Sequence, residues 1–282
     1  MSVQIIVDSA ADFEAADIER YGLRIVSLKT IFSDGEYIEG QNLTRQGFYE
    51  KLEATGEIPK TCQATPFDFE AAYGEVLERG DTAVVITMSE KLSGTAQSAK
   101  IAAAGLEDRI FVVDSNNVTI GEQILALRAA KLRDCGLTAA EIAAALEREK
   151  NEICIFGTTD NLDYLYKGGR LSKTAAMVGG LLAIRPVLAI ADGVIVAAGK
   201  ARGSKQSNNM LTQLIRKNGG VDFSRPVRVG YSGLDDSLLN QYIEDSRELW
   251  EGQTEAPMRC TIGCTVGTHL GPGAILLAFF HK

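Results

Sequence analysis

Few side chains of this sequence are equipped for chemistry, and they gather in loops. Thr87-Met88-Ser89-Glu90-Lys91-Leu92-Ser93-Gly94-Thr95 follows the apolar run Thr82 to Ile86, which reads as a buried strand, and leads into an Ala-rich helical segment ending near Ala104. A strand that ends in a Ser-Gly loop and opens a helix aims backbone N–H groups and the Ser93 hydroxyl at one point, with Gly94 making the turn. Such a point suits an anion. Asp8-Ser9 and Asp114-Ser115 also fall just past the ends of expected strands. In open parallel sheets that edge binds ligands; the alternative is that these residues only cap the next helix. Of two histidines, His281 adjoins the C-terminal residue, whereas His269 sits in Val266-Gly267-Thr268-His269-Leu270-Gly271-Pro272-Gly273. Small and rigid residues there shape a turn around one imidazole, which either serves a site or bonds to the turn's backbone. Arg170 follows Gly168-Gly169 at the end of a short helix, and Arg202 precedes a helix start. Each is either an anion contact or a solvated cation.

Several chemistries are excluded by pattern. Gly-x4-Gly-Lys-Ser/Thr is absent, as are a dinucleotide fingerprint and a Gly-x-Ser-x-Gly elbow, since Gly230-Tyr231-Ser232-Gly233 has the wrong spacing. Cys260, Cys264 and His269 fit no common zinc spacing; Cys260, Ile262, Cys264 and Val266 alternate like one buried face of a strand. No metal or cofactor is expected. Five scattered cysteines in 282 residues read as reduced thiols. A net charge of −8 without a basic stripe argues against nucleic acid and anionic membrane surfaces as partners. The longest apolar region, Ala175 to Gly199, is interrupted by Arg185, Pro186 and Asp192, so no integral membrane association is expected. Nor does the N-terminus carry a targeting pattern, and the expected location is cytoplasmic.

The elements that must position these residues alternate through the first half. Strands are expected at Val3 to Val7, Arg24 to Phe32, Thr82 to Thr87 and Ile110 to Val113. Helices are expected at Ala10 to Tyr21, after Thr44, at Phe67 to Glu78 behind the Thr65-Pro66 cap, after Gly94, and at Ile120 to Asp134. A last one runs from the Thr138/Glu141 capping box to Glu149, and Lys60 to Ala64 reads as a polar loop. This predicts an α/β fold whose largely parallel sheet carries helices on both faces. The second half changes character, with strands at Ile153 to Thr158, Leu181 to Ile190, Gly193 to Ala197, Pro226 to Tyr231, Arg259 to Val266 and Ala274 to Phe280. Helices at Asp160 to Arg170, Ser204 to Lys217 and Asp235 to Trp250 separate them. An α+β domain with a mostly antiparallel sheet is expected, giving domains 1–155 and 156–282.

Taken in order, Val7-Asp8-Ser9, Thr61-Cys62-Gln63-Ala64-Thr65-Pro66, Leu92-Ser93-Gly94-Thr95-Ala96-Gln97-Ser98-Ala99, Val113-Asp114-Ser115, Leu165-Tyr166-Lys167-Gly168-Gly169-Arg170-Leu171-Ser172 and Gly267 to Gly273 resemble the DegV family of bacterial fatty-acid-binding proteins across essentially the whole chain. The resemblance implies two domains that clasp one long-chain fatty acid, its tail in an apolar tunnel and its carboxylate at their interface. It implies a carrier and no autonomous enzyme, presenting the carboxylate to a separate ATP-dependent fatty acid kinase that makes an acyl phosphate. Carried over, Thr61, Ser93 and Gly94 hold the carboxylate, while Arg170, Arg202 and His269 belong to the phosphoryl-transfer step with the partner. Tunnel walls are sought among the apolar residues of 176–190 and 274–280. Cys62 departs from the family's more usual Ser; a thiol is the weaker donor, which matters only if it meets the ligand. The rival reading is an acyl hydrolase or transferase with Ser93 as nucleophile, His269 as base and Asp114 as orienting acid.

Overall fold

The computed structural model describes residues 2–171, 184–253 and 257–282. Its first sheet joins β1 (Val3–Asp8), β2 (Leu23–Val26), β6 (Thr82–Thr87) and β7 (Ile110–Asp114), all parallel, in the order β2-β1-β6-β7. Runs such as Ile5-Ile6-Val7 and Ala83-Val84-Val85-Ile86 suit a sheet covered on both faces. Alternate residues divide accordingly: Ile6, Ala83 and Val85 pack with α3 (Pro66–Glu78) and α4 (Thr95–Ala102), whereas Ile5, Val7, Val84 and Ile86 pack with α5 (Ile120–Asp134) and α6 (Ala139–Glu149).

A second sheet has six strands in the order β10-β9-β8-β13-β11-β12, antiparallel except where β11 meets β12. They are β8 (Ile153–Thr158), β9 (Ile184–Ala191), β10 (Val194–Arg202), β11 (Arg228–Tyr231), β12 (Met258–Thr261) and β13 (Ile275–Phe280). One face shares α5 with the parallel sheet, which is why that helix is buried nearly all round. The other face packs on α8 (Gly203–Lys217) and α9 (Ser237–Asp245). A third, three-stranded antiparallel sheet, β4-β3-β5, combines β3 (Lys29–Phe32), β4 (Gly35–Ile38) and β5 (Lys60–Cys62). It stands beside α2 (Arg45–Thr55) and α11 (Cys264–Leu270), around Phe32, Phe48, Tyr49 and Cys264. The remaining described helices are α1 (Ala15–Tyr21), α7 (Asp163–Lys167) and α10 (Arg247–Trp250). No described helix is long and apolar enough to cross a membrane.

The α/β class and its two kinds of sheet agree with expectation; several elements do not. The helix expected from Ala10 to Tyr21 breaks at Asp12, whose φ of 55° is left-handed, so a short 3₁₀ turn over Ser9–Ala11 precedes α1. Arg24 to Phe32 serves two sheets as β2 and β3, and the polar loop at Lys60 to Ala64 contains the edge strand β5. Ser246 divides the helix of Asp235 to Trp250. The largest correction concerns Arg259 to Val266. Its strand ends at Thr261 and a helix begins at Cys264, so Cys260, Ile262, Cys264 and Val266 do not share a strand face. His269 therefore rides on a helix rather than in a turn. Residues 172–183, which include the start of the strand expected at Leu181, lie outside the described residues.

Candidate functional site

Strand β6 delivers the loop that carries Ser93, and three braces fix its path. Asp8 Oδ2 accepts from Met88 N at 2.8 Å, Asp114 Oδ2 from Glu90 N at 3.3 Å, and Asn117 O from Ser89 N at 2.7 Å. The Asp residues at the strand ends thus hold the loop and do not line the cavity beside it. Asp8 is fully buried, and desolvation pushes its carboxyl up to about 7 despite two backbone donors. Gly94 caps α4, and Ser93 Oγ lies 2.9 Å from Thr95 Oγ1 while accepting from Thr95 N at 3.3 Å. A Cβ on Gly94 would overlap the Gln63 side-chain amide, so glycine lets that amide lie against the loop. Gln63 Nε2 donates to Ser98 Oγ on α4 at 3.0 Å.

Thr61 reaches the same place from β5, where its neighbours Lys60 and Cys62 point outward by the alternation of the strand. Cys62 is exposed and does not line the cavity, so the thiol leaves the site unchanged. Thr61 Oγ1 lies 2.9 Å from His269 Nε2, across 208 residues of sequence. Burial first, and the nearby Arg170 charge second, push the imidazole down to about 4, so His269 is neutral at pH 7. Its Nδ1 is buried without a hydrogen-bond partner among the described residues, pressed against Gly168 where a Cβ would overlap the ring. A bare lone pair tolerates that position better than an unmet N–H. The Nε2–H tautomer then donates to Thr61 Oγ1 and frees the threonine's own proton for another acceptor. Arg170, exposed at the mouth, donates from Nε to Leu92 O at 3.2 Å and from Nη1 to Gly168 O at 2.7 Å.

Behind this polar rim lies a cavity with about 960 Å³ of empty space, its mouth included. Thr61, Gln63, Ser93, Gly94, Arg170 and His269 supply its polar edge, and its walls are mainly aliphatic. Of the apolar stretches expected to form walls, Leu188, Ala189 and Ile190 do so, as does Leu276; residues 176–183 lie outside the described residues. The alternate residues Ile275, Leu277 and Phe279 face α8 and α9 as ordinary core. Further walls come from Leu28, Met88, Val118, Phe156 and Ile195, which no local pattern distinguishes from core. Gln63 was legible only as part of a polar run; its signal is the glycine that faces it.

Five of the six expected site residues therefore meet around one cavity. Arg202 does not: it is exposed at the end of β10, at the start of α8, with its N–H on Gln206 Oε1 at 2.6 Å. The nucleophile and base of the hydrolase reading are not joined either. Ser93 Oγ is paired with Thr95 and His269 with Thr61, while Asp114 binds the amides of Asn116 and Glu90 instead of the imidazole.

The family model described as "Uncharacterised protein, DegV family" matches residues 2–282. A DegV domain-containing protein of Caldanaerobacter subterraneus subsp. tengcongensis is 35% identical over 283 residues, covering 99% of either chain. Among solved structures, a fatty-acid-binding DegV family protein from Thermus thermophilus superposes with a TM-score of 0.88 at 29% identity, covering 99% of this chain and 100% of that one. A stearic acid-binding protein from Eubacterium ventriosum superposes with a TM-score of 0.87 at 26% identity, covering 99% and 97%.

Proposed function

The chain belongs to the DegV family, and we propose that it binds one long-chain fatty acid in the cavity behind Thr61 and Ser93. A single observation carries the reading: an aliphatic cavity closed at its rim by two hydroxyl residues and a neutral, half-buried imidazole. A fatty carboxylate is an acceptor-only anion on an apolar chain. Thr61 and Ser93 donate to it, the amides beside Gly94 add partial positive charge, and His269 orients the Thr61 proton. Each buried methylene contributes about 0.8 kcal/mol, so the tail dominates affinity and the hydroxyls set orientation.

In this reading the domains are 1–155 and 156–282, with the ligand between them; walls drawn from both halves support that placement of the ligand. The protein is a cytoplasmic carrier without a cofactor of its own. It presents the carboxylate to a separate ATP-dependent fatty acid kinase, where neutral hydroxyl anchoring leaves the carboxylate free to attack a γ-phosphate. Arg170 at the mouth faces charge that builds on the transferred group. Arg202, exposed and outside the cavity, serves the partner's surface.

Protein purified from a bacterial host and extracted under denaturing conditions is expected to release fatty acid in a mass spectrum. No lipid, together with no uptake of added fatty acid, overturns the reading. Ser93→Ala is expected to weaken acyl binding, whereas Arg202→Ala leaves binding intact and blocks phosphorylation by the partner kinase. Loss of binding in both variants means that the roles are misassigned.

A further inference from the structure

The helix that carries His269 is not one its own sequence would form. Cys264-Thr265-Val266-Gly267-Thr268 combines β-branched residues with glycine, and seven residues are too few to persist unaided. Its N-cap, Gly263, offers no side chain. The first N–H groups are met instead from the far end of the chain. Glu39 Oε1 accepts from Cys264 N at 2.9 Å, and Glu39 Oε2 accepts from Thr265 N and Thr265 Oγ1, each at 3.3 Å. Asp12 Oδ1 accepts from Gly263 N at 2.9 Å, an approach made possible by the left-handed backbone at Asp12. A Cβ on Gly263 would strike both carboxylates, and one on Gly267 would lie 2.6 Å from the Tyr49 hydroxyl. Tyr49 in turn donates to Ile262 O at 2.9 Å. Arg45 is the cation of this cluster, close to Asp12, Glu14 and Glu39.

Glu39 directly follows β4, and Thr61 lies on β5; both strands pair with β3. One small sheet thus grips α11 at both ends, with the carboxylate at its start and the threonine hydroxyl at the imidazole, about 7 Å along the axis. A helix pinned in this way cannot slide or rotate without moving Nε2 off Thr61 Oγ1.

We propose that Glu39, assisted by Asp12, is the positioning residue of the fatty-acid head-group site: it sets the register of α11 and thereby the His269–Thr61 pair that aims the threonine hydroxyl at the carboxylate. This rests on the fatty-acid reading given above. Neither carboxylate touches the ligand in this assignment. Glu39 acts through Thr265 and His269, and its effect is geometric.

The two histidines of the chain make the test direct, because His281→Gln assigns both ring spectra. The intact protein, labelled with ¹⁵N-histidine and delipidated, is compared at pH 7 as wild type, Glu39→Ala, Glu39→Gln and Asp12→Asn. Thr138→Ala, which removes the cap of the distant α6, serves as a control for lost stability. Wild type is expected to show His269 locked as the Nε2–H tautomer. In Glu39→Ala its ring shifts move toward the averaged values of a free imidazole, and oleate binding weakens by about tenfold. Glu39→Gln keeps one acceptor oxygen and falls between, and Asp12→Asn moves the shifts in the same direction. Thr138→Ala melts earlier with His269 unmoved.

A Glu39→Ala protein that melts earlier yet keeps wild-type ring shifts and oleate affinity overturns the proposal. If that variant does not fold, Glu39→Gln decides by the same comparison. Should the wild type bind no oleate, the functional reading fails by itself, while the ring shifts of the lipid-free protein still decide the positioning role.

Discussion

If Thr61 anchors a fatty carboxylate as proposed, its replacement by Val removes that hydroxyl at nearly constant shape. Two interactions are lost. The first is the 2.9 Å bond with His269 Nε2, which leaves an imidazole whose Nδ1 is already unpartnered with no bond at all. Orphaning a buried polar group costs about 1–3 kcal/mol, and the half-exposed rim places the expected loss of stability near the lower end. The second, under the proposed function, is the hydroxyl donated to the fatty carboxylate. Hydrogen bonds to charged groups contribute about 1.5–3 kcal/mol, so affinity should fall by roughly 10- to 100-fold. The branched side chain is retained, and the aliphatic walls lie elsewhere, so the part of the affinity due to the tail should persist. Delipidated protein titrated with a fluorescent fatty acid, then with palmitate and stearate as competitors, measures the affinity and its dependence on the tail, and thermal melting measures the stability. Thr61→Val should weaken both competitors equally, leaving their ratio at the wild-type value, while Thr61→Ser restores binding. An affinity unchanged within about twofold would refute head-group anchoring by Thr61. A changed ratio would show that the residue belongs to the tail site.

Three other outcomes are expected. Shortening the ligand by four methylenes should cost about 3 kcal/mol, or roughly 200-fold in Kd, since each contributes about 0.8 kcal/mol; competition with a homologous series measures it, and a flat series contradicts burial of the tail. Gly94→Ala has no backbone strain at φ −73° and ψ 4°, but its methyl displaces the Gln63 amide and breaks the 3.0 Å bond to Ser98. The melting temperature should fall by the equivalent of about 1 kcal/mol, and fatty acid binding should weaken as Gln63 swings toward the cavity; calorimetry with wild-type stability and affinity would contradict that packing. The pH dependence of stability follows from groups of opposite sign. Burial raises Asp8 to about 7 and also raises Asp12, so both bind protons in the folded state that the unfolded chain has released, and their contribution is lost as pH rises toward 8. His269, lowered to about 4, adds stability as pH rises from 4 to its ordinary value of 6.5 and nothing above it. Between pH 6.5 and 8 the carboxyls act alone, and the melting temperature at constant ionic strength should decline; a flat or rising profile there contradicts their burial as neutral acids.

Local pattern was enough for features that depend on neighbours in sequence. The alternation of Ile5-Ile6-Val7 between two helical layers, the capping boxes of Thr65 with Asp68 and Thr138 with Glu141, and the Ser93-Gly94 entrance to α4 each arise within a few residues. They suffice for the fold class and for one side of the site. The opposite side was decided by contacts more than 200 residues apart. Val266 to Gly273 has the composition of a turn, yet Val266 to Leu270 are helical, where Glu39 and Asp12 supply the acceptors that the helix's own N-cap lacks. Likewise, Ile275 and Leu276 are equally apolar, yet only the second faces the cavity, because pleating turns neighbours to opposite faces of β13. Residue types and spacing bring out the hydroxyl loops and the glycine-rich stretch around His269. That Thr61 meets His269 follows from long-range packing, since the pairing depends on backbone amides whose partners no local period encodes.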